Sequence, residues 1–177
     1  MRDEWVILVD RDDRETGVME KMEAHRKALL HRAVSVFIFN DKEEMLLQRR
    51  AMSKYHSPGL WTNTACTHPR PGESNVGAAE RRLTEEMGLK ASLQKCFDFI
   101  YHAPLDNNLA EHEFDHVFCG VTNDIPQADP AEVMDYKYME SGELLNDIQK
   151  HPENYTVWFR KIACDVLCNR KSISDCE

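Results

Sequence analysis

The sequence predicts an α+β fold on one domain, and three observations carry that reading. Short apolar runs with strand patterning, Val34-Ser-Val-Phe-Ile-Phe39 foremost, recur through the first half and the middle. Helical patterning falls on a stretch after Ser74 and on the C-terminal end. The two kinds of element do not alternate one for one, so the regular βαβ repeat of a parallel sheet is not expected. With 177 residues the chain has the length of one domain and can bury a core without disulfide staples.

Taken in order, Glu4 to Val9 reads as a short apolar strand closed by the charged turn Asp10-Arg-Asp-Asp-Arg14. Val34–Phe39 and Met45–Gln48 read as two strands joined by the polar turn Asn40-Asp-Lys-Glu43. A loop holding Ser57-Pro-Gly59 leads to a strand over Trp61–Cys66 and then a proline-rich turn. Ser74 or Asn75 caps a helix running to Met87, and Gly88 stands where a C-terminal glycine belongs. Leu93–Tyr101, Phe114–Val121 and Val133–Met139 read as further strands. After Ser141–Gln149, the residues Tyr155, Trp158, Phe159, Ile162, Ala163, Val166 and Leu167 are spaced as one apolar stripe on a helix.

The charge balance narrows the function. With 22 Lys+Arg against 31 Asp+Glu the formal charge is -9, so non-specific nucleic-acid binding is not expected. Any anion the chain binds must be met by a local group of cations. No run reaches the roughly 18 apolar residues of a membrane helix. The acidic opening Met1-Arg-Asp-Glu-Trp5 lacks the apolar core of a signal peptide, so a soluble, intracellular chain is expected. The six cysteines form no CxxC pair and are expected to be reduced, with Cys176 misplaced for a prenylation box.

Four groups of residues can carry chemistry. Cys66 lies two residues before His68 in a loop rich in proline, where a nearby cation or metal would lower a thiol pKa from ~8.5; the plainer alternative is a buried structural cysteine. Glu85 and Glu86 at a helix end can offer hard oxygen ligands to Mg²⁺, or can simply be a solvated acidic end. Glu111 and Glu113 share one face of a strand, and with His25 and His31 they suit Zn, Mn or Fe better than Ca. Each could instead be a surface group. Lys21, Arg49, Arg50, Lys54 and Arg82 are the cations a diphosphate would require if they converge.

Glu73, Arg81, Leu83, Glu85, Glu86, Gly88 and Leu89 match in register the Nudix box, G-x5-E-x7-R-E-U-x-E-E-x-G-U. Thr67 replaces its first glycine and Arg82 the glutamate after the arginine, which weakens the case for a metal-dependent hydrolase. Adding Leu30-His31-Arg-Ala-Val-Ser-Val-Phe37, Leu46-Leu-Gln-Arg-Arg50, Trp61-Thr-Asn-Thr-Ala-Cys66-Thr-His68-Pro and Glu111-His-Glu113, the chain from about Trp5 to Arg170 resembles the type 1 isopentenyl-diphosphate Δ-isomerases of the Nudix superfamily. That resemblance implies a Nudix-like α/β/α sandwich with a mixed central sheet, one domain over 1–177 with a catalytic core of about 30–165.

The resemblance also assigns roles. It implies a metal cage of His25, His31, His68, Glu111 and Glu113, holding Mn²⁺, Zn²⁺ or Mg²⁺. Cys66 and Glu113 become the catalytic pair, with Tyr101 beside Glu113 and Trp158 over the reacting carbons. Lys21, Arg50, Lys54 and Arg82 become the diphosphate clamp, and Glu86 with the Cys66 carbonyl holds a Mg²⁺ that travels with the diphosphate. The implied enzyme moves a C=C bond of isopentenyl diphosphate in isoprenoid biosynthesis, as a cytoplasmic monomer with no membrane or nucleic-acid partner. A Nudix pyrophosphohydrolase and a non-catalytic module binding metal or prenyl diphosphate are the alternatives.

Overall fold

The strand His31–Phe39, here β3, organises the fold because it is apolar on both faces. Val34, Val36 and Ile38 alternate with Phe37 and Phe39, and all five are buried. Such a strand must lie inside a sheet covered on both sides. The structure, a computed structural model, describes residues 4–105 and 107–169; Arg170 and Cys176 fall outside them.

Around β3 the neighbours are β1 (Trp5–Val9), β4 (Met45–Arg50), β6 (Ala65–Thr67) and β8 (Ala110–Val121). The β3–β8 ladder is parallel, from His31↔Glu113 to Phe39↔Val121, and the other pairings are antiparallel. The outer strands are β2 (Glu15–Glu20) on β1, β5 (Trp61–Thr62) and β9 (Val133–Met139) on β4, and β7 (Gln94–Pro104) on β8. The sheet is therefore mixed, as expected.

Two helical layers cover it. On one face α2 (Asn75–Met87) packs Ala78, Ala79 and Leu83 against Val34, Val36 and Ile38. On the other, α4 (Val157–Asn169) packs Phe159, Ile162 and Val166 against Phe37, Phe39 and Val117, joined by Leu144 of α3 (Ser141–Lys150). This is the α/β/α sandwich. No helix among the described residues is long and apolar enough to cross a membrane.

Local chemistry explains both the agreements and the departures. The Ser74 hydroxyl caps α2 by accepting from the Gly77 N–H at 3.1 Å, and Gly88 ends it at φ 63°, where a Cβ would meet the Gln127 carbonyl at 2.7 Å. The run Trp61–Cys66 is two strands rather than one. It breaks at Asn63 and Thr64, whose side chains bond backbone groups: Thr64 Oγ1 donates to the Leu46 carbonyl at 2.7 Å and accepts from the Ile38 N–H at 2.9 Å. The C-terminal stripe is also divided. Pro152–Asn154 forms a 3-10 turn, so Tyr155 precedes α4 and pairs with Trp61 instead of riding on the helix. Strand β2 and the short helix α1 (Lys21–Arg26) were not expected, because Glu15–Glu20 has no buried alternation and six residues show no helical period. Helix α1 forms on a tertiary anchor and a cap, the Glu20 carboxylate accepting from the Met22 and Glu23 N–H groups at 2.8 Å each.

Ahead of α2, Glu73 grips Arg81 through both oxygens, at 2.7 Å to Nε and 2.9 Å to Nη2. The Arg81 hydrogen bonds hold the Glu73 carboxyl below its usual range, burial opposing them. A carboxyl with a depressed folded pKa stabilises fully above its unfolded value, here 4.5, and loses that contribution as the pH falls through its folded value. Glu73→Gln should therefore cost about 1 kcal/mol at pH 7 in urea unfolding. The gap to the parent chain should close in acid below pH 4.5; an equal gap at pH 7 and in strong acid would show that the ion pair is not its source.

Candidate active site

Sheet register brings the site together. The parallel ladder sets Glu113 opposite His31, and the antiparallel β7 sets Tyr101 opposite Glu113. On the other flank of β3, β6 sets Cys66 opposite Ser35. The thiol and the carboxylate thus come from strands on opposite sides of β3. Alternation along β8 places Glu111, Glu113 and Asp115 on one face, and all three are buried.

Four of the five expected metal ligands converge. The ligand atoms of His25, His31, His68 and Glu113 lie within 4.8 Å of one another. Glu111 stands at the margin of this group, with Oε2 3.2 Å from His25 Nε2. The rings of His25 and His31 are oriented from behind: each Nδ1 donates to a backbone carbonyl, Lys21 at 2.7 Å and Leu29 at 2.8 Å. That fixes the tautomer and turns each Nε2 lone pair inward. There His31 Nε2 faces His68 Nε2 at 3.2 Å, and His68 Nε2 faces Glu113 Oε1 at 2.9 Å. His25 Nε2 and Glu111 Oε2 are buried without a hydrogen-bond partner. Inward lone pairs, an orphaned nitrogen and two buried carboxylates are a donor set that fits a divalent cation.

The protonation states of His68 and Glu113 agree with that fit. Burial pushes His68 down to about 3, keeping its ring neutral. Burial alone would raise Glu113, but its contacts with the His31 and His68 rings outweigh it and hold the carboxyl well below the usual range. Glu111 goes the other way, to about 7, from burial and then the Glu113 charge. The Tyr101 hydroxyl donates to Glu113 Oε2 at 2.6 Å, and burial beside that charge holds it firmly protonated.

A cavity of about 390 Å³ opens beside these groups. All four expected clamp cations line it, together with Cys66, Glu86 and Trp158, whereas His25 and His31 sit behind its wall. Arg50 and Arg82, which line it, each keep an Nε–H that is buried without a hydrogen-bond partner. Lys21 is held by Glu4 at 2.8 Å, and the Arg50 guanidinium lies 5.4 Å from the Trp158 ring centre. Glu86 Oε2 accepts from Gln48 Nε2 at 2.6 Å while Oε1 meets Arg82 at 2.6 Å. Burial pushes the Glu86 carboxyl up, so a cation arriving there would find an oxygen ligand it stabilises. Arg49 is not part of the cluster. One residue before Arg50 on the strand, it turns away to donate to the Gly59 carbonyl at 2.9 Å.

The expected lowering of the Cys66 pKa is not what its surroundings produce. Burial first, and then the Asp115 charge, push the thiol up to about 12, against its hydrogen-bonding contacts with Ser35 and Asn63. The sulfur lies 3.1 Å from Asn63 Nδ2 and 3.2 Å from its Oδ1. Behind it Ser35 Oγ donates to Asp115 Oδ2 at 2.7 Å.

Several of these groups escape sequence reasoning. Asp115 continues the Glu111, Glu113 alternation by one step, a signal that could have found it. Asn63 lies inside the motif around Cys66 but looks like one more strand residue. His56, buried with its ring 5.5 Å from Trp158, and Glu132, between Lys54 and Arg82, carry no local signal.

Comparison with known proteins adds the following. A NUDIX domain family model matches residues 29–160. The isopentenyl-diphosphate Delta-isomerase of Pectobacterium atrosepticum is 53% identical over 155 residues, covering 88% of this chain and 87% of that one. The protein of the same name from Serratia proteamaculans is 47% identical over 167 residues, 94% of this chain and 93% of the other. Among solved structures, a Deinococcus radiodurans protein matches with TM-score 0.77 at 20% identity, covering 92% of this chain and 98% of that one. The MutT protein of Methanosarcina mazei matches with TM-score 0.64 at 19% identity, covering 84% and 96%. At those identities the structural likeness speaks for the fold.

Proposed function

We infer what this chain does from its family and its cavity together: it belongs to the isopentenyl-diphosphate Delta-isomerases of the NUDIX domain family, and it interconverts isopentenyl diphosphate and dimethylallyl diphosphate. The observation that carries the reading is one cavity with a cationic wall, and a thiol and a carboxyl from strands flanking β3.

In this reading Lys21, Arg50, Lys54 and Arg82, which all line the cavity, hold the diphosphate. The isoprenyl chain then lies toward Trp158, Tyr101 and Cys66. Isomerisation adds a proton at C4 and removes one at C2. Glu113 with Tyr101 serves C4, and Cys66 serves C2. The cationic carbon between these steps lies by the face of Trp158, an interaction worth ~2 kcal/mol when desolvated.

In the dimethylallyl-to-isopentenyl direction a protonated Cys66 gives its proton to C2 and the ionised carboxylate side takes one from C4. Running the other way requires the sulfur to lose its proton and the Glu113–Tyr101 side to gain one. Asn63, which offers the sulfur both an N–H and a carbonyl, serves the thiol and the thiolate alike.

His25, His31, His68, Glu113 and the marginal Glu111 would hold a divalent ion, Mn²⁺, Zn²⁺ or Mg²⁺, and Glu86 with the Cys66 carbonyl the Mg²⁺ that comes with the diphosphate. When bound, such ions supply charge neutralisation and fix the carboxylate and the phosphates in place. The reading includes a cytoplasmic monomer acting on a small molecule.

The test is proton NMR of the protein with isopentenyl diphosphate and Mg²⁺ in D₂O. Dimethylallyl methyl signals should appear, with deuterium entering the carbon skeleton. Release of phosphate without a shifted double bond would replace the isomerase by a pyrophosphohydrolase, and an unchanged spectrum after metal supplementation would leave only a binding module.

A further inference from the structure

Lys54 and Arg82 reach the cavity from different elements, a loop after β4 and helix α2, so something must set the distance between them. One carboxylate oxygen does. Glu132 Oε2 lies 2.8 Å from Arg82 Nη2 and also binds Lys54 Nζ, while Glu132 itself is absent from the cavity lining. Its backbone is stitched to both sides: the Glu132 carbonyl accepts from the Ala51 N–H at 3.0 Å, and the segment before it is tied to the end of α2 by Asp129 N–H to the Glu86 carbonyl at 2.9 Å. A lysine has three N–H donors and an arginine five, so the bond to Glu132 leaves Lys54 further donors for a ligand, and Arg82 keeps part of its fork beside those that meet Glu85, Glu86 and Glu132.

We propose that Glu132 is the positioning residue of the diphosphate clamp, holding Lys54 and Arg82 at a fixed spacing from behind; this rests on the diphosphate reading of the cavity. Charge alone points the opposite way. An extra carboxylate near a bound anion repels it, so a purely electrostatic role predicts that removing Glu132 tightens binding. A positioning role predicts that it weakens binding, because Lys54 loses the group that ties it to Arg82, while Glu85 and Glu86 still hold Arg82 on its own helix.

The experiment measures KM for isopentenyl diphosphate, kcat, and inhibition by inorganic pyrophosphate in three proteins: the parent, Glu132→Gln and Glu132→Asp. The first variant removes the charge at constant length, and the second keeps the charge but retracts it. Both should raise KM and the pyrophosphate inhibition constant about tenfold, the loss of one charge-assisted hydrogen bond, with kcat within about threefold. A Glu132→Gln protein that binds pyrophosphate as tightly as the parent, or more tightly, overturns the proposal. So does a fall in kcat with KM unmoved, the signature of a structural role. In a Lys54→Ala background Glu132→Gln should have a smaller effect than alone, and full additivity would count against coupling. If pyrophosphate does not inhibit the parent and Lys54→Ala changes nothing, the diphosphate reading itself falls.

Discussion

Cys66→Ala should fold, retain pyrophosphate binding, and lose isomerisation by about three orders of magnitude, the scale of a positioned proton-transfer group. The residue is one of a pair on opposite sides of β3, and in the proposed reaction it is the group that exchanges the C2 proton. Binding should survive because the four clamp cations are anchored on other elements. Cys66→Ser is the sharper variant, since a hydroxyl can keep the hydrogen bonds to Asn63 while giving up its proton far less readily than a thiol. Near-complete loss in both, with unchanged unfolding midpoints, is the expected result. Substantial turnover in Cys66→Ala by D₂O NMR would remove the sulfur from the reaction.

The second large effect belongs to Glu113. Its two oxygens serve two partners, Oε1 toward His68 and Oε2 toward Tyr101, so Glu113→Gln alters the metal cluster and the proton path together. Turnover should fall by about 10³-fold or more. A second readout separates the cluster from catalysis. Zn²⁺ or Mn²⁺ at 100 times its dissociation constant should stabilise the parent chain by about 2.7 kcal/mol, seen as a rise in the thermal midpoint. Replacing the carboxylate with a neutral amide should abolish most of that rise. An equal metal-induced rise in both proteins would mean that the ion sits elsewhere. Tyr101→Phe keeps the ligand and removes only the hydroxyl, so it should preserve the metal response while slowing turnover.

Much of the fold was legible because its signals are local. Helix α2 is announced by Ser74, by apolar residues at helical spacing and by Gly88, and each signal acts within a few residues of where it is read. The two-faced apolarity of β3 likewise foretells a sheet covered on both sides. Strand periodicity alone places Glu111 and Glu113 on one face. The opposite holds for β2 and α1, where the pattern is polar and the chain is shaped by its cap and by pairing with β1.

The sequence by itself determined the sandwich, the thiol, the acid pair and the kinds of cation that gather around a diphosphate. Tertiary structure decided which of them meet. It chose Arg50 over Arg49, drew three histidines from separate segments onto Glu113, and placed Asp115 behind Ser35 and Glu132 behind Lys54 and Arg82. Those partners lie tens of residues apart along the chain, and no local preference encodes a contact that only the sheet register creates. The Cys66 proton is decided in the same way. A thiol's identity is written in the chain, but burial between Asn63, Ser35 and Asp115 sets its affinity for that proton, because desolvation is a property of the folded interior.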